Sequence, residues 1–144
     1  MLTVTDVLSR KGSEVVCLPP MAPVKQGIAL MVEREVGALV IRSGPLPLGI
    51  FSERDFVQKM ARHGPEVLER PVKDVMAVNT PWVWPSDTLV SCMNLMTLHA
   101  VRHLPVIGSL RLCGIISIGD IVSELIADQE HELEWLHEYV MRLR

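Results

Sequence analysis

The sequence predicts an α/β (α+β) fold: two tandem helix-strand-helix-strand-strand-helix repeats packed with pseudo-twofold symmetry, plus an extended C-terminal helix. Three observations lead there. Shifting the chain by 65 positions lays residues 16–57 on 81–122 without a gap and carries Gly49, Ser52 and Asp55 onto Gly114, Ser117 and Asp120. Within each copy, apolar residues alternate between helical and strand periods in the same order. Past the second copy, Val122, Ile126, Gln129, Leu133, Leu136, Val140 and Leu143 follow a 4-3-4-3-4-3 spacing, a heptad seam interrupted only by Gln129. The expected boundaries are 1–64 for the first repeat, 65–128 for the second and 129–144 for the tail helix.

Residues 5–9 read as a short amphipathic helix, matched by 72–76 under a shift of 68 that pairs Val4, Asp6 and Val7 with Val72, Asp74 and Val75. Three extra residues in the first copy, around 9–13, account for the changed shift. Extended apolar stretches follow at 14–18 and 80–84, stopped by Pro20 and Pro85. The next helix shows Val24, Ile28, Met31 and Val32 in one copy and Leu89, Met93 and Met96 in the other, where Ser86 and Asp87 are N-cap candidates. Strands 37–42 and 48–51 are joined by Ser43-Gly44-Pro45, and strands 102–107 and 112–116 by Gly108-Ser109. A helix follows each Ser-x-x-Asp. A unit of roughly 60 residues buries too little surface alone, so the copies are expected to pack together. Polar residues 63–70, with Gly64 and Pro65, read as the connector.

At 144 residues, 49% hydrophobic and 22% charged, the chain has the composition of a folded protein. Aromatics are 4%, so Val, Ile, Leu and Met must build the core, with Met76, Met93 and Met96 filling space. A net charge of −3 gives no general attraction to nucleic acid or anionic membrane. No 18 apolar residues run together, so no membrane span is expected. Asp6, Arg10, Lys11 and Glu14 break any signal-peptide pattern, and the expected location is cytoplasmic. Cys17, Cys92 and Cys113 lie too far apart for a CxxC site and read as buried reduced thiols. His63, His99, His103, His131 and His137 form no HxxxH or HExxH pattern, so no metal is expected. No nucleophile stands with a base, and the chain reads as a non-enzyme without a catalytic cofactor.

The repeated turn sits where a strand ends and a helix begins. A helix N-terminus offers free N–H groups and partial positive charge to a phosphate. Ser52 and Ser117 could donate to that phosphate, Asp55 and Asp120 could accept from a vicinal diol, and Gly49 and Gly114 would leave room for a flat base. The same Ser-x-x-Asp spacing also makes a capping box, and the pattern leaves both readings open.

These turns, the strand Arg102-His103-Leu104-Pro105-Val106, and the phrases Ser52-Glu53-Arg54-Asp55 and Ser117-Ile118-Gly119-Asp120 resemble the paired CBS (cystathionine-β-synthase-type) domains of small stand-alone bacterial proteins. The resemblance covers nearly the whole chain, including the Glu-rich tail. It implies an adenosine ligand in clefts between the repeats: AMP, ADP, ATP, NAD(H) or S-adenosylmethionine in different members. On the matching positions it implies Asp55 and Asp120 as ribose acids, Ser52 and Ser117 near phosphate, and Arg54 and Arg102 as phosphate partners. Thr80, Trp82 and Val83, like Val16 and Leu18, would line the adenine pocket, with Gly37, Ala38, His103, Pro105 and Ile116 beside it. Arg102 is expected to serve the Asp120 pocket, taken as the tighter one, and Arg54 the Asp55 pocket. The implied function is regulatory, energy or redox sensing, exerted on a protein partner that no motif here names. The alternatives are a ligand-independent dimerisation scaffold and, behind it, a nucleic-acid binder.

Trp82 and Trp84 alternate with Val83, so both face one way, and core packing is the preferred role over base stacking. The tail seam outruns the repeat that could cover it, which predicts a homodimer formed through the repeats and this helix.

Overall fold

The computed structural model describes residues 1–142, so Leu143, the last seam position, lies outside the described residues. Helix α1 (Val4–Lys11) starts at a capping box in which Thr3 N–H donates to Asp6 at 2.7 Å. Strand β1 (Cys17–Leu18), helix α2 (Val24–Arg34), strands β2 (Ala38–Ile41) and β3 (Gly49–Ser52) and helix α3 (Glu53–His63) complete the first copy. The second holds α4 (Leu89–His99), β4 (His103–Gly108), β5 (Arg111–Ser117) and α5 (Ile118–Arg142). The tail and the helix after Ser117 are thus one continuous element.

In the first copy β1 runs parallel to β2, which pairs antiparallel with β3. In the second, β4 and β5 pair antiparallel, and the expected strand 80–84 contributes only one parallel bridge, Val83 to Val106. Pro81 and Pro85 carry no N–H, so Val83 alone completes the ladder, donating to Pro105 O and accepting from Ile107 N–H. The expected helix 72–76 is a single 3-10 turn (Val72–Asp74), and Pro71 at its N-cap fixes the entry. The expected connector 63–70 is also ordered, as a 3-10 segment (Gly64–Glu69) that buries Val67 completely. Thr88, not Ser86 or Asp87, caps α4, accepting from Ser91 N–H at 3.2 Å. The Asp87 carboxylate accepts from Trp84 N–H instead.

The repeats exchange their leading segments. Val4 and Val7 of α1 are buried in the second copy's core, with Leu89, Leu104, Ile116 and Ile121. Val67, Val72 and Val75 are buried in the first copy's core, with Leu39, Ile41 and Phe51. The main chain repeats the exchange: Val4 N–H donates to Asp87 O at 2.9 Å, and Val72 N–H donates to Ala22 O at 2.7 Å. Each core is therefore completed by chain from the other copy, and apolar burial ties the two units together.

The repeated glycines serve this exchange. A β-carbon on Gly49 would stand 2.6 Å from Ala77 O and 2.7 Å from Met76 Sδ. One on Gly114 would stand 2.8 Å from Leu8 Cδ2. The space is filled by the partner copy's leading segment, which corrects the expectation that it receives a base. Trp82 and Trp84 are corrected too: they are 41% and 48% exposed and touch edge to face, outside both cores. Of the cysteines, all free, only Cys92 is fully buried. Among the described residues, no helix is long and apolar enough to cross a membrane.

Candidate functional site

Two clefts open between the copies, on either side of a wall made by Gly37 and His103. The first, about 340 Å³, is lined by Gly37, Ser52, Arg54, Asp55, Thr80, Arg102 and His103, with Ile50, Glu53, Gln58, Ala77, Ala100 and Val101. The second, about 370 Å³, is lined by Val16, Gly37, Ala38, His103, Ser117 and Asp120, with Lys11, Glu14, Arg34, Glu35, Val36 and Ile115.

Each cleft thus joins a Ser-x-x-Asp turn from one copy to the middle strand of the other, because the middle strands meet at the wall. The cross-pairing overturns one expectation. Arg102 lies with Arg54 in the Asp55 cleft, and the cation at Asp120 is Lys11. Five expected site residues line neither cleft. Leu18, Val83 and Ile116 point into the cores, and Pro105, though buried, lies on the face of β4 opposite the core residues Leu104 and Val106, because alternate strand positions face opposite ways; Trp82 lies outside on the surface.

Both turns close capping boxes. Ser52 N–H donates to Asp55 Oδ2 at 2.9 Å, Asp55 N–H donates to Ser52 Oγ at 3.2 Å, and the Ser52 hydroxyl donates to Asp55 Oδ2 at 2.9 Å. Ser117 N–H donates to Asp120 Oδ2 at 2.8 Å, and Asp120 N–H donates to Ser117 Oγ at 3.1 Å. Thr3 and Asp6 make the same box. The Ser52 proton is therefore committed to Asp55, which leaves that hydroxyl as an acceptor, not a phosphate donor. Asp55 Oδ1 accepts no hydrogen bond among the described residues and remains able to accept one from a ligand hydroxyl.

The electrostatics differ between the clefts. Arg54 and Arg102 are exposed and form no ion pair among the described residues. Asp120, by contrast, receives Lys11 Nζ at 2.6 Å, and the same ammonium donates to Ile115 O at 2.9 Å. Burial pushes the Asp120 carboxyl up, but the Lys11 hydrogen bond, the Ser117 N–H and the Lys11 charge outweigh it and hold the group below its ordinary range. His103, in the wall, is pushed below the usual imidazole range, chiefly by burial. Asp120 and Glu53 oppose that shift, and Lys11 and Arg102 add to it.

Lys11, Glu53, Gln58 and the Ala100-Val101 pair were not anticipated from sequence. Lys11 falls within the three-residue insertion, so comparison of the copies offered nothing against which to set it.

Fold and clefts together define a class: a paired α/β repeat whose strand-to-helix turns face each other across a shared wall. The CBS domain family model matches residues 4–62 and 72–127, and the chain belongs to the CBS-domain family. The CBS domain-containing protein CBSX3, mitochondrial, of Arabidopsis thaliana is 30% identical over 147 residues, spanning 96% of this chain and 71% of that one. The crystal structure of the CBS-domain containing protein ATU1752 from Agrobacterium tumefaciens superposes with TM-score 0.81 at 36% identity, covering 84% of this chain and 97% of its own. CBSX2, solved in complex with AMP, shares the fold at TM-score 0.71 and 24% identity, covering 90% of this chain and 99% of its own.

Proposed function

We propose that this chain is a cytoplasmic regulatory module that binds an adenosine nucleotide (AMP, ADP, ATP or NAD(H)) in the Asp55 cleft and changes its affinity for a protein partner. One observation carries the reading: the fold brings Arg54 and Arg102, from different copies, into one cavity with the open oxygen of Asp55. Two guanidinium forks suit phosphate oxygens, and a carboxylate suits a ribose diol. Ile50, Ala77 and Val101 supply apolar wall for a base. The shared fold holds AMP in CBSX2. A ligand that touches both copies can bias their arrangement, which is how occupancy becomes a signal.

A thermal-shift panel of AMP, ADP, ATP, NAD, NADH and S-adenosylmethionine tests this, because a binder of the folded state raises the melting temperature. Phosphate-bearing ligands should raise it. The sulfonium of S-adenosylmethionine, placed near two guanidiniums, should not. No shift with any of them would leave the scaffold reading in place. That reading has its own support, since the Thr3–Asp6 box shows the same turn acting as a cap outside the clefts.

The dimer belongs to the same proposal. Ile126, Leu133, Leu136 and Val140 on α5 are about half exposed or more, and Trp135 stacks on Tyr139. An apolar groove of about 670 Å³ between α2 and α3 adds Ile28, Val32, Phe56 and Val57. Truncation after Asp128 should shift the light-scattering mass from dimer towards monomer. An unchanged dimer mass would remove the tail from the interface.

A further inference from the structure

We infer that Lys11 is a built-in occupant of the Asp120 cleft, seated on the carboxylate that would take a ligand's diol, so that the chain binds one nucleotide instead of two. The inference rests on the nucleotide reading of the Asp55 cleft.

Repeat geometry supplies the argument. Leu8 packs on Gly114 as Met76 packs on Gly49, so the two leading segments correspond as far as these residues. Immediately after them the first copy carries its three extra residues, and Lys11 is among those around 9–13. At the first cleft, Ile50 O accepts the main-chain N–H of Ala77 at 2.8 Å. At the second, the matching oxygen, Ile115 O, accepts Lys11 Nζ at 2.9 Å. The insertion thus replaces a backbone donor with an ammonium, and that ammonium reaches on to Asp120 at 2.6 Å. Among the described residues Asp55 has no such cation: its cleft keeps its guanidiniums unpaired and its second carboxylate oxygen open.

The seat is partly sheltered, with side-chain exposures of 31% for Lys11 and 24% for Asp120. Arg10, one residue earlier, lies 3.7 Å from Glu124, one turn beyond Asp120, so two neighbouring cations hold the end of α1 against α5. A ribose entering the cleft must displace the ammonium from Asp120 and leave it to find water. A ligand at Asp55 breaks no ion pair among the described residues. A side chain in the insertion therefore makes two similar turns unequal.

Calorimetric titration with AMP of the parent and of Lys11→Met tests the inference. The parent should bind one AMP per chain and Lys11→Met two, with the added site lost again in Lys11→Met/Asp120→Asn. Lys11→Gln guards against a folding defect in the first variant, since it can still donate to Ile115 O without the charge, and it should also reach two. Two sites in the parent, or one site in the parent and still one in both folded variants, would overturn the inference while leaving the Asp55 cleft standing. Heat from neither parent nor variant would sink the nucleotide reading and this inference together. Binding that appears only in Lys11→Met would support the plug and remove the Asp55 site.

Discussion

Gly49→Ala and Gly114→Ala separate packing from ligand clearance. The added carbon at 49 meets Ala77 O at 2.6 Å, whereas carbon–oxygen contact begins near about 3.3 Å, so the two backbones must part by about 0.7 Å. That movement stretches both hydrogen bonds of the Ile50–Ala77 bridge, now 3.0 and 2.8 Å. Each contributes about 1 kcal/mol. Overpacking adds about 1–3 kcal/mol, and replacing a strand glycine returns about 0.5–1 kcal/mol. The net loss is about 2–4 kcal/mol, or a melting temperature lowered by about 6–12 °C at this chain length. At Gly114 the carbon meets only the tip of the Leu8 side chain, at 2.8 and 3.0 Å, which can rotate aside. There the net cost is about 0–1 kcal/mol. Urea unfolding at 25 °C and thermal melts read both numbers. A Gly49→Ala protein that melts with the parent but loses nucleotide binding would refute the packing argument, as would Gly114→Ala proving the more damaging.

Further outcomes follow from the same structure. Ser52→Ala should cost about 1 kcal/mol by removing the hydroxyl that accepts Asp55 N–H, read as a lower urea midpoint. Ala100 ends α4 in the left-handed region at φ 53°, as Glu35 ends α2 at φ 55°. Ala100→Gly should therefore stabilise by up to about 1 kcal/mol, measured the same way. His103 titrates below its unfolded value, so the unfolded chain binds more protons just below the ordinary imidazole pKa of about 6.5, and stability must fall as pH drops through that window. Melts between pH 7.5 and 5.5 should show that slope, reduced in His103→Gln. Asp120 is depressed, so its stabilisation is present above the ordinary carboxylate range and lost as pH falls through its folded value; Lys11→Met should flatten that acid limb. Cys92, buried and raised to about 11, should react with a thiol reagent only after Cys17 and Cys113.

The repeat made the fold legible because a shift of 65 preserves strand and helix periods together. What it could not carry was partnership. Val4 and Val72 read as members of their own copies, yet each is buried in the other's core, and no periodicity says which core a short apolar segment will complete. The exchange also moved the glycines from ligand clearance to packing and put Arg102 with Asp55. Leu18, Val83 and Ile116 belong to strands that border the clefts yet face the cores, because strand facing and not strand membership decides what lines a pocket. Lys11 was hidden for the opposite reason: it lies in the insertion, where the copies stop informing one another. Ser52 and Asp55 were correctly seen to allow a cap, and the hydrogen bonds show the cap is made.

The central claim is that Arg54, Arg102 and Asp55 form one nucleotide site across the two copies. Calorimetric affinities of AMP and of adenosine for the parent and for Arg102→Ala test it most directly. A guanidinium on phosphate contributes about 1.5–3 kcal/mol, so Arg102→Ala should weaken AMP by at least about tenfold and leave adenosine unchanged. Asp55→Asn should weaken both. Undiminished AMP binding in Arg102→Ala, or a loss that appears only when Asp120 is replaced, would contradict the account.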